Sequence, residues 1–223
     1  MDDTLLIAMS DVSDGTMSTG ADGSTRLRNR TEFLARYGVA PEQSALVYLR
    51  YEGDDYRRYF QVSSSFAGDG IIRPSSKVSD ALFTTEKGLA LLLPVADCVA
   101  AALYDPTRQV MGLAHLGRHN LVQHGGEGVV SYMAERFGSL PADIRVHLGA
   151  AAGKDRYPLF DFDGRGLQKI AVEQLLSAGI DLAHIIRDPR DTTLDESLFS
   201  HSEYLQGRRS LDGRQAFVAM MRP

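Results

Sequence analysis

The chain has 223 residues, enough for one large domain with a sizeable core, and its 43% apolar and 24% charged content is that of an ordinary soluble globular protein. A formal net charge of −5 offers no basic face to nucleic acid or a membrane surface, and no run approaches the ~20 apolar residues that span a bilayer. One cysteine excludes an internal disulfide, and the Met1-Asp2-Asp3 start carries no basic leader, so a cytoplasmic protein is expected.

Residues 4–9 read as a strand, followed by a polar, glycine-spaced loop over 10–25. Asn29 can cap a helix over 30–37, with Phe33, Leu34 and Tyr37 as its apolar stripe and Gly38 as its stop. Residues 44–51 alternate as a strand, 52–55 form a turn, and 56–62 pair back to make a hairpin. Residues 63–76 are a Ser- and Gly-rich connection, and 80–85 a short strand.

Three apolar runs follow, at 89–96, 99–104 and 110–115, the last two joined by the Asp105-Pro106 turn. Cys98 sits where the first run ends and His115 where the third ends. If these strands are neighbours in one sheet, a thiol and an imidazole lie side by side.

After His115, residues 117–128 carry four glycines and read as a loop. A helix over 127–137 buries Val129, Val130 and Met133 and stops at Gly138. A strand over 144–148 precedes the clearest helix, 163–178, where Asp163 can cap and Gly179 terminates. Residues 182–186 are a strand, 187–197 a charged loop, and 216–221 the last strand. With no repeat, no linker and no regular βαβ rhythm, the expected fold is a single α/β (α+β) domain over residues 1–223, a mixed sheet flanked by helices.

Taken alone, Cys98 is either a small buried hydrophobe or a thiolate activated by a neighbouring imidazolium or metal. His115 is either a satisfied polar group at a strand end or a ligand or base. The run Asp80-Ala81-Leu82-Phe83-Thr84, with Ala96-Asp97-Cys98, Tyr104-Asp105-Pro106 and Ala114-His115-Leu116-Gly117, resembles the bacterial laccase-domain proteins, also called the polyphenol oxidase or purine nucleoside phosphorylase family. Asn29-Arg30, Gln61-Val62, the stretch from Leu198 to His201 and Gly213-Arg214 fall in the same order.

The resemblance implies a fold of the laccase-domain, cysteine-hydrolase-like kind and a zinc held by one cysteine and two histidines. It implies activity on purine nucleosides, by phosphorolysis at the N-glycosidic bond and by adenosine deamination, with nucleoside and phosphate as partners. Zinc with three protein ligands keeps a fourth position open. Cys98 and His115 are the ligands so implied, Asp97 supports them, and Asn29, Arg30, Arg118, His119 and Arg214 are the expected substrate contacts. The third ligand position falls on Ser63, a poor zinc donor. The family's AHAGWRG segment is altered, with Arg118 in the tryptophan's place and His119 in the arginine's, and a cysteine-threonine pair is missing near 190–192. His124 or His119 is left to complete the metal site.

Two further readings stay open. Without metal, His115 and Cys98 form a candidate dyad for a cysteine hydrolase or deamidase, a chemistry found in a toxin of similar fold. A non-catalytic relative would keep the cleft and bind a ligand. The glycines at 125, 126 and 128 before a helix could cradle phosphate or form a plain loop, and Arg208, Arg209 and Arg214 could clamp phosphate or face the acidic loop. Six scattered histidines do not suggest a multicopper oxidase centre. Oligomeric state is left open.

Overall fold

Two mixed sheets lie face to face in the computed structural model, which describes residues 4–18 and 21–223. The first runs β1 (Leu5–Met9), β10 (Gln215–Met221), β5 (Ala90–Val95) and β2 (Ser44–Leu46). The second runs β3 (Tyr59–Gln61), β4 (Ala81–Thr84), β7 (Val110–Leu116), β6 (Val99–Asp105), β8 (Arg145–Leu148) and β9 (Ile185–Arg187). The expected α/β fold is present, with two sheets where one was expected.

The central strands are continuous apolar runs because both of their faces are buried. In β5, Leu91 and Leu93 face the second sheet while Ala90 and Leu92 face outward onto α1 (Gly23–Ala35), beside Phe33 and Leu34. In β6, Ala100 and Ala102 meet the first sheet, whereas Ala101 and Leu103 pack under α3 (Gly125–Phe137) and α4 (Leu167–Ser177). The period of two along each strand thus builds a helix–sheet–sheet–helix stack.

Several expectations are corrected. The 44–62 hairpin does not form: β2 pairs parallel with β5 in one sheet, and β3 parallel with β4 in the other. Helix α1 starts at Gly23, capped by the Asp22 carboxylate on the Thr25 amide at 3.0 Å, so Asn29 is a mid-helix residue and not its cap. Asp163 adopts a left-handed φ of 53°, and α4 begins four residues later behind Gly166. The glycine-rich 117–128 segment contains a short helix, α2 (Arg118–Val122). Another, α5 (His201–Leu205), follows the charged loop and is capped by Ser200, whose side chain accepts from the Glu203 amide. Residues 182–184 are a 3-10 turn, leaving only the end of that stretch in β9. Among the described residues no helix is long and apolar enough to cross a membrane.

Candidate functional site

A cleft of about 510 Å3 opens where β5 and β7 end, with Cys98, His115, Arg118, His119 and Arg214 on its walls. Strand β6 pairs antiparallel with β7, Val99 opposite Leu116 and Ala100 opposite His115. That register sets Cys98, the residue before β6, beside the end of β7. Gly117 measures how close the two groups are. A Cβ built there would lie 2.9 Å from Cys98 Sγ and 3.1 Å from His115 Nε2, so the two atoms are no more than about 6 Å apart. Glycine is required at this position because any side chain would enter the gap.

His115 is buried, and its Nε2 has no hydrogen-bond partner. Asn120 lies beside the same ring, fixed by the Gly117 amide, which donates to its Oδ1 at 3.1 Å, and by the Tyr56 carbonyl, which accepts from its Nδ2 at 2.7 Å. Burial lowers the imidazole pKa from 6.5 to about 4, against the pull of nearby Asp80. Asp80 is held by Arg58, whose Nε donates at 2.7 Å, and lies outside the cleft lining. Burial of the sulfur and the adjacent Asp97 charge push the Cys98 thiol up to about 12, although Arg214 and an Arg118 amide hydrogen bond work the other way. Thiol and imidazole are therefore both neutral.

Asp97 has a left-handed φ of 71° and is buried. Its carboxylate accepts from Thr192 Oγ1 and from the Ser202 amide, each at 2.8 Å. Thr192 lies where the expected cysteine-threonine pair is missing, and it anchors the residue before Cys98. Ser202 carries α5 against the cleft, and the buried Glu203 beside it accepts from Arg156 at 2.8 Å and from Arg208 at 2.6 Å.

The structure brings Cys98, His115, Asp97, Arg118, His119 and Arg214 to one cleft, and places the other expected residues elsewhere. Ser63 follows β3, which runs alongside β4 toward Thr84, whereas His115 stands at the opposite end, its amide donating to Asp80. Four residues of strand separate those ends, about 13 Å. Ser63 Oγ bonds Ser65 Oγ instead, at 2.9 Å. His124 pairs with Glu127 at 3.0 Å over a separate cleft. Asn29 and Arg30 are buried in α1, bonding the carbonyls of Thr16, Met17 and Gly70 and not the cleft. The Gly126 amide is taken by Gln174 Oε1 at 2.9 Å, so the glycine run is no phosphate cradle. Arg208 serves Glu203, and Arg209 the carbonyls of Leu198, Thr192 and Asp195; of that trio only Arg214 reaches the cleft.

Tyr51, Asn120, Tyr157 and His201 also line it, and the sequence did not single them out as site residues. The Tyr51 ring meets His115 edge-on at 6.2 Å, and His119 stacks on Tyr56 at 4.7 Å. His201 Nδ1 pairs with Asp212 at 3.0 Å, and Arg214 donates to the same carboxylate at 2.8 Å. His201 could have been found from its place beside Leu198-Phe199-Ser200; an aromatic residue at the end of an expected strand, such as Tyr51, carries no such signal.

A family model described as multi-copper polyphenol oxidoreductase laccase matches residues 13–162. The chain belongs to that family. A purine nucleoside phosphorylase of Corynebacterium glutamicum is 29% identical over 222 residues, covering 91% of this chain and 84% of that protein. The Bacillus subtilis protein YlmD, also named a purine nucleoside phosphorylase, is 35% identical over 85 residues, 38% of this chain and 31% of its own. Among solved structures, the Bacillus licheniformis hypothetical protein YfiH superposes with a TM-score of 0.87 at 21% identity, covering 99% of this chain and 94% of that one. YlmD from Geobacillus stearothermophilus gives 0.87 at 23%, covering 99% and 93%. These two establish the shared fold.

The zinc implied by the resemblance needs three protein ligands. The unpartnered Nε2 beside a sulfur supplies two donors. Among the described residues, however, no group of three His, Cys, Asp or Glu side chains lies together. The donor set does not fit the metal, and the chemistry below uses none.

Proposed function

We propose that the cleft binds a purine nucleoside with phosphate and cleaves the N-glycosidic bond by phosphorolysis. The observation that carries this reading is the buried, unpartnered Nε2 of His115 at the floor of a cleft flanked by arginines. The names of the relatives point to the same class of substrate. The cleft volume falls in the ~300–1,000 Å3 range of small-molecule sites.

In this reaction a phosphate oxygen bonds to C1′ of the ribose while the bond from C1′ to the purine nitrogen breaks. The base leaves with the bonding pair and takes up the proton that the hydrogen phosphate gives up as it becomes the ester. Arg214 and Arg118 supply positive charge where phosphate must sit. Neutral His115 directs a hydrogen-bonding nitrogen at the base as charge develops on it. Tyr51 and His119 offer ring faces and edges against which a purine can lie. Asp97 is fully engaged and acts as a positioning residue for Cys98.

The dyad reading needs His115 to take the Cys98 proton and form an ion pair. Burial opposes both charges, holding the thiol near 12 and the imidazole near 4. Phosphorolysis is therefore preferred to nucleophilic thiol chemistry.

Incubation of inosine or adenosine with and without phosphate, with chromatographic separation of base and deaminated nucleoside, tests the proposal. Phosphate-dependent release of free base, abolished in His115→Ala, is expected. Rapid acylation of Cys98 by an amide substrate, or nucleoside binding that raises Tm with no base released, would replace it with the hydrolase or the binding relative.

A further inference from the structure

The geometry points to Tyr51 as the residue that occupies the third position around Cys98 and His115 and keeps that pair free of zinc. Strand β2 runs parallel to β5 in register Leu46 to Leu92, and the Val47 amide continues the ladder to the Leu92 carbonyl at 2.9 Å. Running on in the same direction, the chain brings Leu49 and Tyr51 into the cleft beside Pro94, Val95 and Cys98. Thus three chain segments converge there, ending in a sulfur, an imidazole and a phenol ring.

The Tyr51 ring centre lies 6.2 Å from that of His115, with the planes at 75°. Two imidazoles sharing one tetrahedral zinc at the usual Zn–N distance have ring centres roughly 5 Å apart. The Tyr51 ring thus stands on the side of His115 where a second imidazole would have to come, slightly beyond that spacing, and offers a neutral phenol in place of a nitrogen donor.

Each other donor nearby is committed. The Asp97 carboxylate accepts from Thr192 and Ser202, His201 is paired with Asp212, and His119 is stacked flat on Tyr56 with an interplanar angle of 17°. Recruiting any of them would break a contact that shapes the cleft wall. Tyr51 is 60% exposed, so its side chain can be exchanged without opening the core.

The test is a metal count on the full chain, expressed without chelator, loaded with excess zinc and desalted. The wild type is expected to retain well under one zinc per chain. Tyr51→His is expected to retain about one, as a three-ligand site does. That zinc should vanish when Cys98→Ser is added, and cobalt loading should give a thiolate charge-transfer band in Tyr51→His that is absent from the wild type and from the double variant. Tyr51→Cys is a second gain-of-metal variant should the first misfold, and Tyr51→Phe should stay zinc-free. Stoichiometric zinc in the wild type that is lost in Cys98→Ser would overturn the inference. So would a folded Tyr51→His and a folded Tyr51→Cys that both stay empty, or zinc gained independently of Cys98. The count is read without turnover, so it stands or falls separately from phosphorolysis.

Discussion

The carboxylate of Asp97 accepts a 2.8 Å hydrogen bond from the amide of Ser202, fastening the residue before Cys98 to the first turn of α5 across 105 positions of sequence. Its other oxygen takes the Thr192 hydroxyl, and its backbone carbonyl takes the Ala152 amide at 2.8 Å. Asp97→Ala leaves two buried donors unpaired at a left-handed position, and should cost on the order of 2–4 kcal/mol in urea unfolding. Asp97→Asn keeps the backbone preference and one acceptor, and should cost about half as much. Equal losses from the two variants would show that the retained acceptor and backbone preference contribute nothing.

The pH dependence of stability should carry the signature of His115. Its ring ordinarily titrates at 6.5 and here at about 4. Between those values the unfolded chain binds a proton that the folded chain does not. Its contribution is therefore complete above pH 6.5 and is lost as pH falls toward 4. His115→Gln should flatten the decline between pH 7.5 and 5 in urea titrations. An unchanged slope would mean that the ring is not desolvated.

Glu203 governs a lower window. Arg208 and then Arg156 hold its carboxyl below the ordinary value of 4.5, with burial opposing them. The stabilisation is present above pH 4.5 and is lost as the group protonates on further acidification. Both arginines are more than two-fifths exposed, so Glu203→Gln should cost only about 1–2 kcal/mol at neutral pH. The variant should unfold in acid with a shallower slope; thermal melts from pH 7 to 3 would show it.

Substrate binding should divide between charge and rings. Arg214→Gln removes a guanidinium of the cleft and should raise KM for phosphate roughly tenfold, with little change in KM for nucleoside. Tyr51→Ala should raise KM for nucleoside by about 5- to 30-fold and leave phosphate nearly untouched, the size expected for lost stacking. Steady-state kinetics with each substrate varied in turn would separate the two. A common fall in kcat with both KM values unchanged would place neither residue at substrate.

The family, the positions of the buried strands and the pairing of Cys98 with His115 were legible in the amino-acid sequence. Runs such as 99–104 and 110–115 need little context, since strands buried on both faces must be apolar throughout, and a turn at Asp105-Pro106 leaves them one register to adopt. Local order fixed those features. It could not say which sheet residues 44–51 would join, because a short alternating strand fits an antiparallel hairpin and a parallel edge equally well. Only the packing of two sheets sent β2 to β5, carried Tyr51 into the cleft and left Ser63 at the far end of β4. The same long-range contacts committed Asn29 and Arg30 to the core under α1, where a side chain's role follows from what surrounds it and not from its neighbours in sequence.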